Sequence, residues 1–186
     1  MQTYTHFIYT TAVRKLLQKR GQPVSTVGFQ LGSVAPDTPL VLITIGYIVQ
    51  RRWFSDGETE LFDGSYDDNY FNNPVWITAH NLFHAPILLM SYMTIGYLAS
   101  RAGFKWGFHL IWFAIGCAFH SLLDIPTHHN DGPLLLYPFD WQKRYLSPIS
   151  YWHPDYWGGP FSRLEHLSDL FLLLIFLVTW LLKRRS

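Results

Sequence analysis

The sequence predicts an all-α fold: a polytopic integral membrane helical bundle of three or four apolar helices plus an amphipathic N-terminal helix. Three observations carry this. Apolar residues fill 49% of the 186 positions and charged residues only 15%, well under the quarter usual in soluble domains. Aromatic residues reach 18%, with eight Trp, eleven Tyr and fourteen Phe. The apolar residues also fall in blocks free of charge, as bilayer spans require. The length suits a single domain over 1–186.

Taken in order, Phe7, Ile8, Ala12, Val13, Leu16 and Leu17 recur at helical spacing, with Arg14, Lys15, Lys19 and Arg20 on or beside the other face. Gly21 and Pro23 end this amphipathic helix. No signal-peptide pattern precedes it, so the segment is expected to be retained. Leu40 to Val49 follows Pro36 and Pro39 and precedes Arg51 and Arg52; at about 15 Å as a helix it predicts a buried or partly inserted element rather than a span. Ser55 to Asn73, with acids at Asp56, Glu58, Glu60, Asp63, Asp67 and Asp68, reads as an exposed loop. Val75 to Ser100 has no charged residue and would be about 39 Å long as one helix. Trp106 to Leu123 is a second span and Leu170 to Leu182, ending in Lys183 to Arg185, a third and shorter one. Pro126 to Pro160 is non-periodic and rich in Tyr and Trp, which predicts a loop at headgroup level.

Lys plus Arg (14) against Asp plus Glu (13) leaves a net charge of +1, so no basic field exists to hold nucleic acid. The only cysteine, Cys117, excludes a disulfide framework and a cysteine-rich zinc site. Any metal must be held by His and carboxylates.

Histidine and acid intrude where they are most expensive, inside the apolar blocks. His80 and His84 are four apart, as are His120 and Asp124, so each pair shares a helix face one turn apart. Two such pairs on neighbouring helices supply four converging ligands. A packing role for any one His is the alternative, and Asp124 weighs against it: a carboxylate in a last helical turn opposes the dipole and needs a cation, yet no Lys or Arg lies between Lys105 and Lys143. Asp37 sits between Pro36 and Thr38-Pro39, as an N-cap or as a ligand. His128 and His129 are adjacent and diverge in an extended chain, so at most one joins the site, His128 being favoured because it is four residues beyond Asp124. Glu165, His166, Asp169 and His153 complete the set, with Glu165 and His166 at the entrance to the last apolar helix; His109 is expected to be uninvolved. If the three spans alternate in direction, all these ends share one side of the membrane. Arg101, Lys105 and Lys183 to Arg185 then lie on the other. The side is left open: five basic residues mark the far face, and up to nine the site face if the N-terminal helix lies there.

Thr5-His6, Leu31-Gly-Ser-Val-Ala-Pro-Asp37-Thr-Pro39 and His120-Ser-Leu-Leu-Asp124-Ile-Pro-Thr-His-His resemble the YdjM-like membrane-bound, metal-dependent hydrolases and the related zinc-dependent phospholipase C pattern. The likeness runs from Thr5 to Phe139 and departs in the wording His80-Asn-Leu-Phe-His84, where an Arg is expected after the first His, and in the aromatic stretch from Trp141 to Trp157. It implies metal ligation by His6, Asp37, His80, His84, His120 and Asp124, and a bacterial inner (plasma) membrane location. The expected activity is hydrolysis of a phosphoester or phospholipid-like substrate, with a divalent metal, zinc first and with room for more than one ion, and with membrane lipid as partner. Asp37 or Glu165 is the candidate general base. The rivals are a membrane di-iron oxidase or desaturase, for which His128-His129 lacks the third His at Ile125, and a non-enzymatic haem- or metal-binding protein using paired His.

Overall fold

Two helices are long and apolar enough to cross a membrane, and a third span results if one bent pair is counted as a unit. The computed structural model describes residues 1–54 and 64–185. Among them the regular elements are helices: α1 (Thr3–Lys19), α2 (Thr26–Gly32), α3 (Thr38–Phe54), α4 (Gly64–Asn72), α5 (Pro74–Asn81), α6 (Pro86–Arg101), α7 (Lys105–Asp124) and α8 (Gly158–Arg185). The spans are α7, α8 and the α5–α6 pair.

The block from Val75 to Ser100 is not one helix. It breaks after Asn81 and bends by 53° into α6. Pro86 is the cause: it has no N–H to donate and its ring excludes Ala85 from helical geometry, and Ala85 is extended at φ −67, ψ 124. The last apolar helix starts at Gly158, not near Leu170, because left-handed Trp157 (φ 65) redirects the chain and Pro160 is tolerated in a first turn. Glu165 and His166 therefore lie two turns inside α8 rather than at its entrance. Of the acidic stretch, Gly64 to Asn72 is helical, with Asp67 in the first turn and Asn72 Nδ2 donating to Asp68 Oδ1 at 2.8 Å; 55–63 lies outside the described residues. In α3 no residue is buried, so Leu40 to Val49 belongs to an apolar surface helix and not to the core.

The amphipathic reading of α1 inverts. Its buried positions are Thr5, His6 and Thr10, while Tyr4, Phe7 and Leu16 are exposed. In lipid the apolar side needs no cover, and it is the polar face that must find partners. Those partners are on α8: Thr5 Oγ1 donates to Asp169 Oδ2 at 2.7 Å and the Gln2 amide to Glu165 Oε1 at 2.7 Å. Further along, Lys15 Nζ stands 3.9 Å from the centroid of the Phe176 ring, so α1 and α8 run in the same direction.

The chain then turns at Gly21, whose φ of 73 suits glycine, and α2 returns alongside α7. Ser25 Oγ meets His109 Nδ1 at 2.7 Å near the start of α7, and the Ser33 carbonyl meets His120 Nδ1 at 2.8 Å near its end. Close approach depends on Gly28 and Gly32, a small-xxx-small pair. A Cβ on Gly28 would collide with the His109 carbonyl, and one on Gly32 with the Phe113 carbonyl. Gly96 and Gly107 play the same part between α6 and α7. This α1–α2 hairpin begins at the site end of the bundle, reaches the far end and comes back, delivering Asp37.

The loop from Ile125 to Trp157 folds over the site end. Leu134 N–H donates to Asn81 Oδ1 at 2.7 Å and Tyr151 N–H to the Thr127 carbonyl at 2.8 Å. Ile77, Ala85, Leu134 and Tyr137 form a small core beneath it. Phe139, Trp141, Tyr145, Trp152 and Trp157 stay exposed, as rings at a headgroup boundary do.

Candidate metal centre

Asp37, His84, His120 and Asp124 each present one ligand atom within 4.8 Å of the others. They come from three places in the chain: the α2–α3 turn, the α5–α6 break and, with two ligands one turn apart, the end of α7. His120 Nε2 lies 2.9 Å from Asp124 Oδ2 and 3.4 Å from Asp37 Oδ1; His84 Nε2 lies 3.5 Å and 3.8 Å from the same two oxygens. Four ligands at about 2.0–2.1 Å from a tetrahedral ion are about 3.3 Å apart, and these separations bracket that value.

Both imidazoles are oriented from behind. His84 Nδ1 faces the His80 carbonyl at 2.6 Å and His120 Nδ1 the Ser33 carbonyl at 2.8 Å. A carbonyl only accepts, so Nδ1 donates to it, and Nε2 is the ring atom turned to the centre. Each Nε2 is buried and makes no hydrogen bond. Two buried ring nitrogens without a hydrogen bond, facing two carboxylates, are a donor set that could hold a cation. Thr3 Oγ1 fixes Asp37 by donating to Oδ2 at 2.5 Å.

The other candidates take different places. His6 stacks on His120, ring centroids 3.6 Å apart, with Nε2 2.9 Å from Asp124 Oδ1 and neither ring nitrogen in a hydrogen bond. His128 Nε2 is 3.5 Å from the same oxygen and its Nδ1 is 3.2 Å from Asp131 Oδ1. His80 touches the His84 ring edge to face, but its Nδ1 is paired with the Tyr70 hydroxyl at 2.9 Å. Glu165 lies in the α1–α8 seam on the Gln2 amide and does not line the cleft above the centre. His109 is bonded to Ser25 at the other end of α7.

Three partners escaped the sequence reading. The Met1 amine stands 2.7 Å from Asp124 Oδ1, a cation that a count of Lys and Arg misses. Asp131, three residues after His128 in a turn-like Asn-Asp-Gly, was legible only as loop. The Ser33 carbonyl has no side-chain signal at all. Burial pushes the Asp37 carboxyl up, but the facing His120 and His84 outweigh this and hold it well below the usual carboxylate range. Burial likewise opposes ionisation of Asp131, and His128 with the Trp152 indole N–H brings it down to about 2. Burial lowers His128, and Asp124 and Asp131 together raise it above its ordinary value. Asp37 and Asp131 are thus held ionised.

Residues 1–185 of the chain match the family model described as YdjM inner membrane protein. The chain belongs to the YdjM inner membrane protein family. No curated protein and no solved structure matches it. For this YdjM-family chain the inner membrane is therefore the location, in keeping with its spans.

The histidine doublet is split, as divergent side chains in an extended segment require. His129 Nδ1 faces the Ser147 carbonyl at 2.5 Å and its ring stacks on Tyr156 at 3.5 Å, away from the centre. His128→Ala is expected to lower the metal retained per chain several-fold, and His129→Ala to leave it within error while loosening the loop. Metal analysis of the two purified variants checks this; equal loss from both would return the doublet to a di-iron arrangement.

Proposed function

We propose that this YdjM-family protein is a divalent-metal hydrolase, zinc being the preferred ion, that cleaves a phosphoester in an amphiphilic substrate at the membrane surface. The observation that supports it best is the pair of buried Nε2 atoms of His84 and His120, neither in a hydrogen bond, facing Asp37 and Asp124 with all four ligand atoms within 4.8 Å of one another. When bound, the ion supplies a Lewis acid and lowers the pKa of a water. The other oxygen of Asp124, Oδ1, faces His6 and His128 together with the Met1 amine, so a second cation there has to displace that amine.

The chain's own groups do the rest. With His84, His120 and Asp124 to hold the ion and a fourth position left to water, Asp37, the more exposed of the two carboxylates with 23% of its side chain accessible, lines the cleft and is placed to take that water's proton. Glu165 is not, since it sits in the α1–α8 seam on the Gln2 amide and does not line the cleft. A cavity of about 700 Å³ lies over the centre, with Asp37, Asp124 and His128 on its polar side and Leu40, Val41 and Phe71 on its apolar side. That lining suits a charged headgroup with an attached chain. The paired-His haem reading is disfavoured because His84 and His120 touch edge to face at 4.9 Å, closed to a porphyrin.

Metal content and an absorption spectrum of the protein purified in detergent, followed by assay on short-chain phospholipids and chromogenic phosphodiesters, test the reading. Colourless protein with about one zinc or more per chain and chelator-sensitive turnover is expected. A Soret band, or fully loaded protein inert on both substrate types, would sink it.

A further inference from the structure

We infer that the metal centre opens on the extracytoplasmic face of the inner membrane, so that its substrate is a phosphoester presented from that leaflet. The substrate half of this rests on the hydrolase reading above; the sidedness does not.

The inference turns on where the first hairpin points. Lys and Arg set membrane orientation by their excess on the cytoplasmic side near span ends. Read linearly, the four basic residues of α1 and its turn have no fixed side. The structure assigns them. α1 leaves the site at Met1 and His6 and runs along α8, whose own basic end is at the far face. The turn that follows is pinned to the start of α7 by Ser25 and His109, one helical turn from Lys105. Arg14 reaches toward that turn, donating to Gln18 Oε1 and Thr26 Oγ1, and Lys15 covers the Phe176 ring; long cationic side chains snorkel in this way toward the nearer interface.

The far face therefore collects Arg14, Lys15, Lys19 and Arg20 with Arg101 and Lys105, and also Lys183, Arg184 and Arg185. The site face keeps Arg51, Arg52, Lys143, Arg144 and Arg163. That is nine against five of the fourteen, and 55–63 adds none. Two of the five are engaged locally: Arg51 donates to Ser65 Oγ at 3.2 Å, and Arg144 donates to the Gly132 carbonyl over the Tyr70 and Phe71 rings. Arg20, Arg101, Lys105 and Lys183 to Arg185 lie at short connections or at the end of a span, and Lys143 and Arg144, in the loop between α7 and α8, count on the other side without reversing the excess. The far face is thus cytoplasmic, and the centre faces outward.

The chain offers a clean test because its only cysteine, Cys117, is fully buried. Phe139→Cys places a thiol on the site-side loop at a residue 83% exposed. Ala102→Cys marks the α6–α7 turn and Gln22→Cys the α1–α2 turn, both exposed. Spheroplasts expressing each full-length variant are treated with a membrane-impermeant maleimide before and after permeabilisation, with the wild type as blank. Phe139→Cys is expected to label in intact spheroplasts, and the other two only once the membrane is opened. The reverse pattern overturns the inference. Labelling of Gln22→Cys together with Phe139→Cys in intact spheroplasts also overturns it, by moving the hairpin's charges to the site face. Should a variant fail to accumulate, a fluorescent protein that matures only in the cytoplasm, fused after Ser186, gives a second reading: fluorescence supports the orientation and its absence, with the fusion present in the membrane, contradicts it. Neither measurement refers to activity, so sidedness and the hydrolase reading fail separately.

Discussion

Replacing Asp124 by Ala is expected to empty the metal centre. Its two oxygens serve two groups of partners, Oδ2 toward His84 and His120, and Oδ1 toward His6, His128 and the Met1 amine. No neighbouring carboxylate can take over, since Asp37 already faces both histidines. Loss of an outer partner of a metal ligand costs about 10–100-fold in affinity, and loss of a ligand shared this widely should exceed about 100-fold. The measurement is metal per chain after dialysis against a weak chelator, with size-exclusion of the same sample to show that the variant is folded. His84→Asn, which preserves packing volume better, guards against misfolding and should lose metal to a similar degree. His109→Ala keeps its metal if the site is where the geometry puts it. Retention of metal by both Asp124→Ala and His84→Asn would make these packing residues.

Gly32→Val is expected to be the most damaging change outside the site. A Cβ there meets the Phe113 carbonyl, the Cys117 amide nitrogen and Gly116 Cα, all of them backbone or rigid, so α2 must retreat from α7 as a body. Overpacking against side chains costs about 1–3 kcal/mol; against backbone the upper end applies, and in a chain of this size that lowers the melting temperature by about 6–12 °C. Because Ser33 is the next residue and its carbonyl orients His120, metal should fall as well. Gly46→Ala, in open space on α3, is the control and should leave both quantities alone. Equal melting temperatures for Gly32→Val and the wild type would show that α2 is not seated as described.

What the sequence made legible follows from how far each signal acts. Charge-free blocks revealed the spans because a bilayer imposes its demand on every residue of a block. Spacing of four revealed the His120 and Asp124 pair because a helix fixes it locally. The break at Pro86 was also local and readable, and was outweighed by the unbroken apolar run around it. The hidden parts depend on tertiary placement: the inverted face of α1 is set by α8, the seat of α2 by two glycines against α7, and the division of His128 from His129 by Ser147, eighteen residues on. His80 shows the limit most plainly. Its spacing from His84 is that of a ligand pair, yet the four converging ligand atoms do not include it, and Tyr70, from a helix the charge pattern had presented as loop, meets its Nδ1.

The hairpin of α1 and α2 has a consequence for biogenesis. Asp37 and the early His6 emerge first, but the side chains that complete the centre arrive only with α7, and the Met1 amine meets a carboxylate 123 positions later. Until α7 is inserted, the seven residues of α2 have nothing to pack their glycine face against and are too few to hold a helix alone. Loading of the proposed centre would therefore be a late event in assembly, postponed until the penultimate span is in the bilayer. Ions met earlier by the nascent chain find scattered single ligands, and a ribosome stalled before α7 would release a product unable to capture one.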